Sequence, residues 1–215
     1  MNYIIVKDQQ TVLLGPMPWR QRMFQREIND LLEAGDITEQ YTIPPIAPES
    51  NYLALGEGLE IFPVVQSNVP AHDGIYEQLA GPYYSYANNE ATETYNAVSV
   101  PLDQIKGTLK NIVTNNRYKK EVGGFKITVQ SSEVTVDTSR EGRQIFLDTY
   151  LAMADAETIN WKFPEAWINV TKTDMEQIVF AGKSHIQTCF DWELSTQNAI
   201  DAAQTEQELK AIVLE

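Results

Sequence analysis

The chain is poor in several things that a catalytic, metal-binding or membrane protein relies on. It holds a single cysteine, Cys189, so no intramolecular disulfide can form and a reducing compartment is the expected place of synthesis. Its two histidines, His72 and His185, lie in different halves. A zinc site needs three or four ligands, so none is expected and the metal assignment is empty. No apolar run approaches the roughly 20 residues that cross a bilayer. Met1 to Gly15 lacks the basic stretch and long apolar core of a signal peptide. Basic side chains are scarce, 16 against 30 acidic, for a net charge of −14. Such a surface repels phosphate backbones and anionic headgroups, so neither nucleic acid nor membrane is an expected partner, and it keeps the molecule in solution.

What remains is an ordinary folded composition, with 43% hydrophobic and 21% charged residues, which excludes wholesale disorder. A length of 215 residues allows one large domain or two small ones, each with its own core. Composition changes along the chain. Nine of ten prolines and eight of ten tyrosines lie at or before Pro101, which sets a boundary near Asn96 to Pro101 and two units, 1–97 and 98–215. The fold class is α+β: a β-rich N-terminal attachment region with one amphipathic helix, then a helical domain with small β-hairpins.

In the first unit, Tyr3 to Val6 and Thr11 to Leu14 alternate and are β-branched, which predicts a hairpin closed by Gly15-Pro16. Trp19, Met23, Phe24, Ile28, Leu31 and Leu32 recur at helical spacing with Gly35 as the stop, and Arg20, Arg22 and Arg26 lie on or near the polar side. From Ile37 to Val100 the punctuation by Pro44-Pro45, Pro48, Gly56-Glu57-Gly58, Pro63, Pro70 and Gly81-Pro82 predicts short strands and ordered loops and excludes long helices.

In the second unit, Leu102, Ile105, Leu109, Ile112 and Val113 share a helical face that ends at Gly123-Gly124. Phe125 to Val129 and Glu133 to Val136 predict a hairpin, followed by a helix from about Arg140 to Ala154 with Thr138 or Ser139 as its cap. Strands at Ile159 to Trp161 and Ala166 to Val170 flank Pro164. A capping box at Thr173 and Glu176 opens the longest helix, whose inner side carries Met175, Ile178, Val179, Ile186, Cys189, Phe190 and Ile200. A second box, Thr205 with Glu208, starts a short final helix.

Several motifs in this second unit occur together in a characteristic order: Asn116-Arg117-Tyr118, Val136 to Arg140 followed by Gln144, Trp161-Lys162, the helix entry at Thr171 to Thr173, His185 to Asp191, and Thr205 to Leu209. In that order, Val98 to Glu215 resembles an α+β module of uncharacterised function found at the C-terminal end of tailed-bacteriophage tail and tail-fibre proteins. The resemblance implies a phage particle as context and carries no catalytic residues. It implies a structural component of the virion, made in the host bacterial cytoplasm, whose partners are other virion proteins. A homo-oligomer, a tail-fibre assembly chaperone absent from the mature particle, and a receptor-binding adhesin stay open.

No catalytic residue and no cofactor is expected from the side chains. His185 and Cys189 stand four apart on one helical face, but Ile186 and Phe190 make that face apolar, which raises a thiol pKa and favours a core pair. Asp191 and Glu193 point to different sides of their helix, and with so many acids a solvated face accounts for them. Gly56-Glu57-Gly58 and Gly123-Gly124 lack the strand, helix and Lys-Ser/Thr context of a phosphate loop and read as turns. Asp137 to Arg140 fits either an anion site at a helix start or a cap, and the cap explains the residue types without a ligand. The remaining candidates form a partner interface. Tyr83, Tyr84 and Tyr86 follow Gly81-Pro82, where an interface, a strand with one face in the core, and sugar stacking all suit tyrosine. Trp19 and Arg20, beside Phe24, form a second candidate, with core packing favoured for the aromatics.

Overall fold

The computed structural model describes residues 1–47, 52–66 and 69–215; Pro48, one of the expected breaks, lies outside the described residues. The chain is α+β and divides into two compact units, residues 1–99 and 100–215. The expected boundary at Ala97 falls inside a strand, because residues up to Ser99 still pair across the last hairpin of the first unit, Val98 opposite Gln78 and Ser99 opposite Glu77.

Among the described residues, unit 1 is a single six-stranded sheet with one helix. Its elements are β1 (Asn2–Lys7), β2 (Thr11–Pro18), α1 (Gln21–Ala34), β3 (Leu53–Gly56), β4 (Leu59–Gln66), β5 (Glu77–Ala87) and β6 (Glu90–Ser99). The strand order is β2-β1-β4-β6-β5, with β3 beside the first part of β4 and a parallel β4–β6 pairing. Tyr3 to Val6 are all buried. The alternation expected of a half-solvated strand is lost there because both faces of β1 are covered. On one face Tyr3 and Ile5, with Leu59 and Ile61, meet Phe24 and Ile28 of α1. On the other, Ile4 and Val6 meet Phe62 and Ala91, with Tyr84 and Tyr86 packed against them.

The β1–β2 hairpin closes through Asp8 to Gln10, and Gly15-Pro16, expected to close it, lies inside β2 as a cis peptide. The backbone explains the shift. Asp8 and Gln9 take positive φ without glycine, whereas Gly15, also at positive φ, would bring a Cβ to 2.4 Å from the Tyr3 carbonyl oxygen. The glycine therefore serves close strand approach and not the reversal. Gly35 caps α1 in the left-handed conformation and its N–H reaches the Leu32 carbonyl at 3.2 Å. The loop after α1 is strapped back onto the helix by side-chain amides. Gln25 donates to the Tyr41 carbonyl at 2.9 Å and accepts from the Ile43 N–H at 2.8 Å, and Gln21 donates to the Ile43 carbonyl.

Unit 2 is built on one long helix. Its elements are α2 (Leu102–Val122), the hairpin β7 (Phe125–Val129) and β8 (Ser132–Val136), α3 (Arg140–Ala152), the hairpin β9 (Thr158–Lys162) and β10 (Trp167–Thr171), α4 (Lys172–Ala202) and α5 (Glu206–Lys210). The two hairpins, α3 and the start of α4 share a core of Val134, Val136, Phe146, Phe163, Met175 and Ile178 among others. The β7–β8 turn, Gln130-Ser131, takes positive φ at both positions with neither glycine nor asparagine, and the Gln130 amide holds it by donating to the Asn169 carbonyl at 2.7 Å and to Asp174 at 2.8 Å. Asp174 also closes a capping box with Thr171, two residues before the pair expected from the sequence. Thr171 wins because it is the last residue of β10 and keeps the extended backbone that a cap needs, while Glu176 is engaged by the Tyr150 hydroxyl.

Across the other side of α4, α2 is held by a buried ion network. Arg117 pairs with Glu193 at 2.9 Å and with Glu121, and Arg143 from α3 reaches Glu121 at 3.1 Å. Thr114 and Gln197 complete the hydrogen bonding of Glu193. Burial works against the Arg117 charge, but the bonds and charges of Glu193 and Glu121 outweigh it and hold its pKa above the usual arginine value. Arg117→Ala leaves two carboxylates without their shared cation and is expected to cost unit 2 about 3–5 kcal/mol. Arg26→Ala, at an exposed pair with Asp30, is expected to cost at most about 1 kcal/mol. Denaturant midpoints of the two variants test this, and an Arg117→Ala loss no larger than that of Arg26→Ala would refute it.

Candidate functional site: a tyrosine cleft between two sheet edges

β2 and β5 stand at opposite ends of the strand order, yet both line one cleft of about 520 Å³. The sheet of unit 1 therefore curls until its two edges face each other across an opening. Val12 and Pro16 come from β2; Pro82, Tyr83, Tyr84 and Tyr86 come from β5. Each edge carries a proline after a glycine, both peptides being cis. A proline offers no N–H, so each edge is interrupted as a template for further strand pairing while its carbonyl groups remain available.

Strand alternation assigns the three predicted tyrosines different roles. Tyr83 points outward and is 49% exposed. Tyr84 and Tyr86 point inward, half-buried against Ile4, Val6, Phe62 and Ala91, with the Tyr86 ring 4.9 Å from that of Phe62. The cluster is thus both core and surface, and of the three only Tyr83 is an exposed residue. Behind it, the carboxylate of the buried Glu93 accepts from the Tyr84 hydroxyl at 3.2 Å and from the Tyr95 hydroxyl at 2.9 Å. Tyr52 donates likewise to Glu60 at 2.6 Å. Desolvation, followed by the charge and hydrogen bond of Glu93, pushes the Tyr84 phenol up to about 12. The sequence held no sign of Glu93 and Glu60, since acids in alternating strands read as solvent-facing.

The second predicted pair separates. Trp19 belongs to the α1 core: its ring lies edge-on to Tyr3 at 5.1 Å and stacked on Phe24 at 5.2 Å, and its indole N–H donates to the Pro44 carbonyl at 3.3 Å. Arg20, next to it, is exposed and starts α1 without a side-chain cap. They form no common surface feature.

In unit 2 the polar motifs are engaged in structure. Ser139 caps α3 through the Gly142 N–H at 3.0 Å, Asp137 accepts from the Ser139 N–H and hydroxyl, and Thr138 accepts from the Gly124 N–H at 2.9 Å. His185 Nε2 lies 3.0 Å from the Lys120 carbonyl oxygen and 3.9 Å from Cys189 Sγ, with its ring stacked on Phe125. Burial, then the charge of Glu121, pushes the Cys189 thiol pKa up, away from reactivity. Asp191 accepts from Gln187, and Glu193 belongs to the Arg117 network. Among the described residues no three His, Cys, Asp or Glu side chains gather where a metal ion could be held, and no helix is long and apolar enough to cross a membrane.

Residues 104–213, just over half of the chain, match the model of a family described as a domain of unknown function, DUF4376. The chain belongs to that family. The match runs from the first turn of α2 to just past α5 and takes in both hairpins, so the family domain is unit 2, and the tyrosine cleft lies outside it. No curated protein and no solved structure matches the chain.

The Tyr84–Glu93 pair has a pH signature. Its folded phenol titrates at about 12 against about 10 in an unfolded chain, so the proton is bound more tightly in the fold. The stability this confers is whole below pH 10 and is lost as pH rises from 10 to 12. Ultraviolet difference titration should show a late tyrosine ionisation near pH 12, and Glu93→Gln should bring it earlier. A titration unaltered by Glu93→Gln would separate the two groups.

Proposed function

We propose that this chain is a structural component of a tailed-phage virion, in the tail or tail-fibre apparatus, and that it works by contacting other virion proteins and not by catalysis. The context comes from the resemblance of Val98 to Glu215 to the phage tail module. The observation that carries a contact role is the cleft of unit 1, where two strand edges and an outward Tyr83 surround an opening backed by an apolar cluster. Aromatic rings with a polar tip over a desolvated base are favourable anchors for another protein. Unit 1 carries 4 basic and 13 acidic residues over positions 1–99, which favours a partner surface with exposed cations. In this reading unit 1 attaches the chain and unit 2 is the self-contained DUF4376 domain.

The test is mass spectrometry of purified particles together with infected-cell lysate. The chain should be present in the particle, and Tyr83→Asp, a change at a half-exposed ring that leaves the core intact, should lower its incorporation severalfold relative to the parent chain. Presence in lysate with absence from particles would assign it instead to tail-fibre assembly as a chaperone.

A further inference from the structure

Unit 2 has a groove that none of the preceding chemistry uses. It runs between α3 and α4 over β8, encloses about 350 Å³ and is lined chiefly by apolar side chains. Leu147 is 38% exposed and Phe190 44% exposed, although the sequence places Phe190 on the inner side of its helix. On α4 the lining runs from Ile178 to Phe190, roughly 18 Å at 1.5 Å per residue, or three helical turns. Beyond Phe190 and Arg143 a second hollow continues the groove past Tyr118 and Arg140.

Gly182 lies on the groove wall in mid-helix. Glycine weakens a helix interior, so its presence there needs a cause. Packing within the chain supplies none: a Cβ at 182 would meet only Phe125, at an ordinary 3.8 Å. Gly142 is the contrast, since a Cβ there would lie 2.5 Å from Asp137. Without a side chain at 182, this stretch of the groove wall is bare backbone.

The charges around the opening differ from those of the chain as a whole. Lys183 lines the groove and Arg140 its continuation, and neither has an acidic partner among the described residues. Arg143 is shared with Glu121; Asp137, also in the lining, accepts from the Ser139 N–H and hydroxyl but keeps its charge, and the two unpaired cations outnumber it. An uncommitted positive rim on a protein of net charge −14 selects an acidic occupant. A second copy docking by the same face would set Lys183 and Arg140 against their own equivalents in an isologous contact.

We infer that this groove binds an amphipathic helix of another protein, with its apolar face against Leu147, Gly182, Ile186 and Phe190 and its carboxylates beside Lys183 and Arg140. Apolar anchors at i, i+3/i+4 and i+7 match a trough three turns long. The inference does not depend on the virion reading.

The probes are two synthetic amphipathic helices of about 14 residues, four turns, with leucine along one face and either glutamate or lysine flanking it. Binding to the full chain is measured by fluorescence anisotropy and mapped by amide NMR shifts. The glutamate-flanked peptide should bind at least about tenfold more tightly than its lysine twin and shift residues 147, 182, 186 and 190. Gly182→Leu, which fills the trough, and Leu147→Glu, which alters a surface position, should each weaken it at least about tenfold. Thermal unfolding confirms that each variant is folded, and Leu147→Glu decides if Gly182→Leu is not. The inference is overturned if neither peptide binds, if the lysine twin binds as well, or if both variants bind as the parent does. It is also overturned if dodecanoate occupies the groove and the peptides do not, or if the groove mediates self-association that Gly182→Leu abolishes.

Discussion

Arg117 is the hinge of unit 2. Its guanidinium, with a side chain 15% exposed, reaches Glu193 on α4 and Glu121 on its own helix, and Arg143 of α3 closes on Glu121 from the other side. Removing water from these charges is costly, and only their mutual attraction with full hydrogen bonding offsets that cost. Arg117 and Glu121 share α2, but the Arg117–Glu193 and Arg143–Glu121 pairs form only when α4 and α3 stand in register with it. Lys110 with Asp201, and Lys120 over the Trp192 ring, extend the same α2–α4 register toward both ends of the contact. The α3–α4 groove lies beside this network, which ties α3 to α2 through Arg143.

Unit 1 solves a different problem. Its interior strand β1 is covered on both faces, which anchors the sheet, but a curled sheet still has two edges. Edges that face each other with prolines in them are protected from casual pairing with other strands, and the price is an opening that no described element of the unit fills. The tyrosines take up the boundary between that opening and the apolar cluster, and burying Tyr84 and Tyr95 hydroxyls is tolerable because Glu93 accepts from both. Glu93 thus links a local strand pattern to the chemistry of the cleft.

Much of the secondary structure was legible because it rests on local signals. The α1 stop at Gly35, the α2 stop at Gly123 and the Ser139 cap are short-range backbone requirements that particular residue types meet. The misses share a cause in long-range contact. Gly15-Pro16 reads as a turn, but its conformation is demanded by the neighbouring strand at Tyr3. Thr173 and Glu176 read as a capping box, but Thr171 holds the cap because β10 delivers it in extended form. Phe190 reads as core by helical spacing, yet it flanks an open groove. For the candidate interface, the tyrosine cluster was visible as composition, whereas the pairing of two distant edges that makes it a cleft depends on sheet order, which no local pattern encodes.

The two units also differ in what they leave unsatisfied. In unit 1 the acids nearest the cleft, Glu60 and Glu93, are engaged by tyrosine hydroxyls, so the opening offers aromatic surface with negative charge held just beneath it. In unit 2 Glu121 and Glu193 are paired with Arg117 and Arg143, Asp137 keeps its charge while accepting from Ser139, and Lys183 and Arg140 have no acidic partner among the described residues. An apolar segment flanked by carboxylates suits the second and is repelled by the first; a cationic surface does the reverse. On the two proposals above, unit 1 would take a cationic surface and unit 2 a carboxylate-flanked helix, so the two partners would not compete for one place.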